Sequence, residues 1–207
     1  MSNARTSQEL QGKSVISVSN GQVIAKVVDV LIDPDPPQVA AVVTAKGGGG
    51  ILKRQEEIEA IPADEVQVWG QDAVLVSGPD VAVKISELAG SERWLTVADQ
   101  IKGHDVISTE GTRIGALNDV VVDTDGQLVS YDLAQAYTVG KGSAAKIKQI
   151  PVEATSSLGR DVLIVDAAQI AELAQLEEPP PAEDPLQAEE PPPIEETSEQ
   201  ETPPVEE

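Results

Sequence analysis

Gly12-Lys13-Ser14-Val15-Ile16-Ser17 is answered 91 residues later by Gly103-His104-Asp105-Val106-Ile107-Ser108, and this echo decides the fold. Working outward from it, Gly21 returns as Gly111, and Val27 to Asp33 (VVDVLID) returns as Leu117 to Asp123 (LNDVVVD). Ile61-Pro62 returns as Ile150-Pro151, and Gly70-Gln71-Asp72 as Gly159-Arg160-Asp161. The offset drifts only from 91 to 90 to 89 residues, so two short deletions align the halves throughout. A chain of 207 residues holding this repeat divides into two units of roughly 70 residues, near the lower limit for a self-sufficient core.

Within each unit the local pattern is β. Residues 13–18 and 22–32 are Val/Ile-rich runs separated by Ser19-Asn20-Gly21, and Asn-Gly between apolar runs marks a hairpin. The second copy turns at Glu110-Gly111, one residue shorter. Asp33-Pro34-Asp35-Pro36-Pro37 breaks the chain before a strand at Val39–Thr44, and Asp123-Thr124-Asp125-Gly126 does so before Leu128–Leu133. The Gly-bearing loops Lys46–Gly50 and Tyr137–Ser143 follow, then Ile-Pro, a polar turn, and last strands at Ala73–Val76 and Val162–Val165. Five or six short strands per unit, with turns every 8–12 residues, predict a small barrel or sandwich. Residues 81–96 join the units, with a short helix expected to break at Gly90, and residues 168–176 read as an amphipathic helix presenting Ile170, Leu173 and Ala174.

Composition narrows the function classes. There is no cysteine, so disulfides and thiolate metal sites are excluded. With no phenylalanine, the core is built from Val, Ile, Leu and Ala. The net charge of −22 argues against general affinity for nucleic acid or an anionic membrane surface. Residues 177–207 hold 12 acidic and no basic residues, leaving 24 acidic and 14 basic in residues 1–176. With nine prolines and few apolar residues, that C-terminal stretch is expected to be disordered and partly polyproline II. No apolar h-region opens the chain and no stretch approaches ~20 apolar residues, so the expectation is a cytoplasmic protein without membrane insertion.

The opening GKSVIS, the NG turn, VVDVLID, IPADEV and WGQDAVLV, echoed by GHDVIS, EGTRIGALNDVVVD, QIP and LGRDVLIV, resemble the PRC-barrel domain. The resemblance covers residues 8–80 and 97–167. Ala25 stands where the family often has glycine, and Glu153-Ala154-Thr155 also departs from its pattern. The fold implied is all-β: two tandem small PRC-like β-barrels with short connecting helices and a disordered acidic C-terminal tail. In the reaction centre H subunit, a ribosome maturation factor and small division- or sporulation-linked proteins, such barrels serve as docking surfaces. The resemblance therefore implies a non-enzymatic adapter or scaffold that binds protein partners. The alternatives are a peripheral component of a photosynthetic or cell-division assembly, attached through a membrane protein, and a ribosome-assembly factor acting through a ribosomal protein. A homo-oligomer is also compatible.

No catalytic set, cofactor site or metal site is assigned. His104, the only histidine, matches Lys13 of the first copy and reads as a surface residue. Gly47–Gly50, beside Lys46, Lys53 and Arg54, precedes a predicted strand and not the helix that a phosphate loop opens. Asp119, Asp123 and Asp125, matched by Asp29, Asp33 and Asp35, resemble a fragment of a calcium loop without its closing glutamate, and turn chemistry explains Asp125 without metal. The candidate protein-binding residues are Trp69, Trp94, Lys141, Lys146 and Lys148. Trp94, in the connector, is expected to pack one barrel against the other or to cap the second.

Overall fold

The computed structural model describes residues 4–45, 58–138 and 146–176. The first repeat contains β1 (Arg5–Thr6), α1 (Ser7–Leu10), β2 (Ser14–Ser17), β3 (Val23–Pro34), β4 (Pro37–Ala45), β5 (Glu59–Pro62), β6 (Val66–Trp69) and β7 (Ala73–Val76). The connector contributes β8 (Val83–Lys84) and β9 (Leu95–Thr96). The second repeat contains β10 (Asp105–Ser108), β11 (Arg113–Val122), β12 (Leu128–Thr138), β13 (Lys146–Pro151), β14 (Thr155–Leu158), β15 (Val162–Val165) and α2 (Ala167–Leu176).

Both repeats share one six-strand order, β6-β7-β2-β3-β4-β5 in the first and β14-β15-β10-β11-β12-β13 in the second, and β8 of the connector adds an edge to the first. In each, the opening strand lies parallel to the closing strand, Ser14↔Ala73 through Ser17↔Val76 and Asp105↔Val162 through Ser108↔Val165. The remaining pairs are antiparallel, and the hairpin turns use left-handed glycines, Gly21 and Gly111. The last strands, Ala73–Val76 and Val162–Val165, lie where the sequence places them.

The long strands β3 and β11 show why the repeats are inseparable. Val30, Leu31, Ile32 and Asp33 are buried in succession, as are Val120, Val121 and Val122. Successive residues of a strand face opposite sides, so such a run needs cover on both faces. Part of that cover comes from the other repeat. β1, at the start of the chain, pairs with β11 (Arg5↔Val122, Thr6↔Val121), while β9, which leads into the second repeat, pairs with β3 (Leu31↔Thr96, Ile32↔Leu95). Each repeat thus lends its leading segment to its neighbour.

The helical turns after these two strands are also equivalent. Thr6 caps α1 in a reciprocal box with Glu9, whereas at Thr96 only the return half is present, its amide donating to Gln100 Oε1 at 3.0 Å. One extra residue lies between Thr96 and Ile101 than between Thr6 and Leu10. The first turn therefore closes as an α turn (Gln11 N–H to Ser7 O, 3.1 Å) and the second as a π turn (Lys102 N–H to Val97 O, 2.9 Å). Leu10 and Ile101 still reach the interior, and a single apolar core runs through both repeats.

The connector differs from the expected helix. It forms two single 3₁₀ turns, Ile85–Glu87 and Ser91–Arg93, separated by Gly90 at φ 82°. Its Ile85, Leu88 and Trp94 lie against Leu31, Ala41, Val43 and Ala60, forming a second small core outside the first sheet. A continuous helix would bring these residues round one stripe, whereas covering a sheet face requires them spread along an extended path. The C-terminal helix is present from Ala167 to Leu176, with Ile170 buried. Gly47–Gly50, Lys46, Lys53, Arg54, Lys141 and the acidic stretch from residue 177 lie outside the described residues.

Candidate functional site

Trp69 ends β6, and its side chain is 1 % exposed. Its ring packs on Gly126 of the second repeat, where a Cβ would come within 2.8 Å of Cε2. Its amide donates to Thr124 O (3.4 Å), and its carbonyl accepts from Arg5 Nη1 (2.7 Å). Trp69 therefore joins the leading arm, the first barrel and the Asp123–Gly126 turn, and it offers no surface to a partner. Leu158 holds the matching place in the second repeat and is likewise buried.

Trp94, for which the sequence offers a place between the barrels or over the second, is half-buried against Leu31, Ala41, Val43 and Ala60 of the first. Beside it Arg93 Nη2 donates to Asp33 Oδ2 at 2.6 Å. Burial opposes ionisation of Asp33, but the Arg93 hydrogen bond and the Asp35 amide outweigh it and hold the carboxyl below its ordinary range. The Trp94 indole nitrogen has no partner at hydrogen-bonding distance, yet it lies close enough to Asp33 to assist in this. Asp33 and Trp94 line an open cleft of about 490 Å³, which also meets Val39, Asp64 and Gly126.

Four of the aspartates grouped by sequence as a calcium-loop fragment, Asp29, Asp33, Asp119 and Asp123, accept from backbone amides. Asp123 Oδ1 accepts from the amides of Asp125 (2.9 Å) and Gln127 (2.8 Å), and Asp33 Oδ1 accepts from Asp35 (3.1 Å). Asp119 and Asp29 have a different task, capping the borrowed segments. Asp119 Oδ2 accepts from the Gln8 amide (3.0 Å) and Oδ1 from the amide and hydroxyl of Ser7. Asp29 Oδ2 accepts from the Ala98 amide (3.2 Å), and its Oδ1 accepts from its own neighbour Val30 (2.8 Å). Burial raises the Asp29 carboxyl above its ordinary range, against the pull of these two amides, and Asp99 and Asp119 add to the rise. Among the described residues, no group of three or more His, Asp or Glu side chains could hold a metal ion.

His104 is half-buried, and burial lowers its pKa. Its Nδ1 has no hydrogen-bond partner. Lys146 and Lys148 stand exposed on β13, and Lys148 Nζ lies 3.7 Å from Asp132 Oδ1. They belong to the second repeat, whereas Trp94 packs on the first sheet and Trp69 is buried. Lys141 lies outside the described residues.

A different surface emerges from the strand register. Val68 pairs with Leu75, Leu75 with Ile16, and Ile16 with Val23, forming one row across β6, β7, β2 and β3. Val68 is 41 % exposed and Val23 61 %, with Val18 beside the row at 53 %. The same register in the second repeat joins Ser157, Ile164, Ile107 and Arg113. There Arg113 Nη2 donates to Asp105 at 2.6 Å, where the first repeat has Val23 and Ser14, and Thr109 replaces Val18. Sequence reasoning missed this row because each valine alone is an ordinary strand residue. The readable signal was the exchange of Val18, Val23 and Val68 for Thr109, Arg113 and Ser157 between aligned copies.

No curated protein matches the chain. The family model described as PRC-barrel domain matches twice, over residues 3–82 and 98–170. The two matches contain the two equivalent six-strand orders and take in the leading strand β1, while β8 and β9 lie between them. The chain therefore belongs to the PRC-barrel family, as a tandem pair of its barrels.

Proposed function

We propose that this protein is a non-enzymatic adapter whose first barrel docks a protein partner. The observation that supports this most is the exposed row Val68–Leu75–Ile16–Val23, with Val18 beside it, on a sheet whose twin carries serine, threonine and an Arg–Asp pair. Large exposed apolar groups gathered in one place favour association, and burying each such valine stabilises a complex by about 1 kcal/mol. At a strand spacing of ~4.8 Å the row is roughly 14 Å long, enough to form the centre of a modest interface. The Asp29, Asp33, Asp119 and Asp123 carboxylates are engaged in capping and turns, which supports a binding role over catalysis.

The twin barrel supplies the test. Replacing Ser14→Asp, Val18→Thr, Val23→Arg and Val68→Ser together gives the first barrel the second barrel's outward chemistry, already compatible with this fold. Affinity capture from the native cells is expected to recover a saturable partner with the wild-type chain and to lose it with this variant, at unchanged melting temperature. Equal recovery by both chains would remove the row from the function.

A further inference from the structure

The cleft beside Trp94 holds open polar groups that turns and caps leave unused. Both repeats line it: Asp33, Gln38 and Asp64 come from the first, Asp125, Gly126 and Gln127 from the second. Asp33 is engaged, with Arg93 Nη2 at 2.6 Å. Asp64 and Asp125 are exposed, and among the described residues neither carboxylate has an ion-pair or hydrogen-bond partner. The side-chain amides of Gln38 and Gln127 are equally open. Two indole nitrogens also lack an acceptor. One belongs to Trp94 in the cleft wall, the other to Trp69, whose side chain is 1 % exposed and directed at Gly126. A buried donor without an acceptor is costly, so a polar occupant suits this wall.

We propose that this cleft binds an arginine side chain of a partner peptide, held by Asp64 and Asp125 against the Trp94 indole. It shares no residue with the exposed valine row and is a second site, independent of it. The ionisable groups of the lining are Asp33, Asp64 and Asp125, and Arg93 offsets only the first, so the occupant is cationic. A metal ion fits poorly. It needs oxygen donors converging at about 2.0–2.6 Å from one point, and among the described residues no group of three or more His, Asp or Glu side chains could hold one. Carboxylates spread around an indole suit guanidinium instead, which is planar, carries five donors and stacks on aromatic faces. A volume of about 490 Å³ lies in the range that takes a whole small molecule, so a side chain enters with its flanking backbone. That backbone brings carbonyls to the wall with the open indole donors, and amides to the two glutamines. Trp94 makes the site single: Ala4 stands before β1 where Trp94 stands before β9.

The test titrates the full chain with acetyl-Gly-Arg-Gly amide and follows the indole N–H signals by NMR. Salt at about 0.15 M screens general attraction to the acidic surface. The Trp94 signal is expected to shift saturably, with one peptide per chain. Asp64→Asn with Asp125→Asn replaces two exposed, unpartnered groups and is expected to weaken binding about tenfold at unchanged melting temperature. Citrulline in place of arginine keeps the shape and removes the charge, and that peptide is expected to leave the signal unmoved. An absent or unsaturable shift would overturn the proposal, as would two peptides bound per chain. So would equal affinity for the citrulline peptide or its lysine analogue, or wild-type affinity in the double variant. Acetyl-arginine amide separates the sources: binding as tight as that of the tripeptide would give the cleft to a free guanidinium compound and remove the peptide partner. The four-residue variant of the valine row leaves the cleft intact, so arginine binding retained there alongside lost partner capture keeps the two sites distinct. Loss of arginine binding in that variant would join them and overturn the second site.

Discussion

Gly126 and Trp69 show how much of the junction rests on two residues from different repeats. Gly126 has φ 83°, in the region where a side chain is strained, and the Trp69 indole occupies the space that a Cβ would fill. Gly126→Ala therefore carries two costs, about 1 kcal/mol for the backbone and a further ~2 kcal/mol for overpacking against the ring. In a Trp69→Leu background, which places the second repeat's own residue at that position, the overpacking is relieved and only the backbone cost is expected to remain. Thermal or denaturant unfolding of the four proteins in this cycle should give a coupling of more than 1 kcal/mol between the two sites. Additivity would mean that the ring does not press on the turn.

The exchanged segments are held at the scale of elements, by strands of two residues and one carboxylate each. Asp119→Ala leaves the Gln8 and Ser7 amides at the head of α1 without their acceptor and is expected to cost about 2 kcal/mol, with hydrogen exchange rising first in residues 5–11. Asp29 adds a pH dependence of definite sign. Its carboxyl is raised in the folded chain, chiefly by burial, so the native state retains the proton at a pH where the unfolded chain has lost it. This contribution makes the wild type gain stability, relative to Asp29→Asn, as pH falls from neutral through the raised value towards the ordinary carboxylate range of about 4. Asp33, held low by Arg93, acts oppositely and loses its stabilisation only as pH falls below that range. Urea denaturation of Asp29→Asn and the wild type between neutral pH and about 4 should show the two curves diverging in that direction.

The elements themselves were largely legible in sequence. Apolar runs bounded by the Asn20-Gly21 turn and by the polar turns at Gly70–Asp72 and Gly159–Asp161 place β2, β7 and β15 within a residue of their positions, because local strand and turn chemistry decides them. Exchange of the leading segments was not read, although two signals lay in the chain. Val30-Leu31-Ile32 and Val120-Val121-Val122 are too continuous for strands with a wet face, and Thr6-x-x-Glu9 is a capping box. Which repeat supplies the cover is a long-range pairing, and in an internal duplication both partners fit both grooves by sequence alone. In sequence Asp29 and Asp119 resemble oxygen ligands because an aspartate in a strand next to a turn looks the same whether it binds a cation or caps a segment arriving from over 60 residues away.

At the scale of the molecule, reciprocal exchange makes the two barrels one thermodynamic body. If β1 leaves β11, the second repeat loses cover over Val121 and Val122, and Arg5 releases the carbonyl of Trp69, the residue whose amide and ring link the first barrel to the Asp123–Gly126 turn. If β9 leaves β3, the first repeat loses the Asp29 cap and the connector that covers Leu31. Neither barrel can open without exposing apolar surface on the other, and the continuous core adds to that coupling. Calorimetry is therefore expected to show one transition, with calorimetric and van't Hoff enthalpies equal and near 0.7 kcal/mol per folded residue, on the order of 110 kcal/mol in all. Asp119→Ala should lower the single melting temperature by several degrees without splitting the peak. Two resolved transitions would show that the barrels unfold separately, and the exchanged segments would then be surface contacts with no hold on the core.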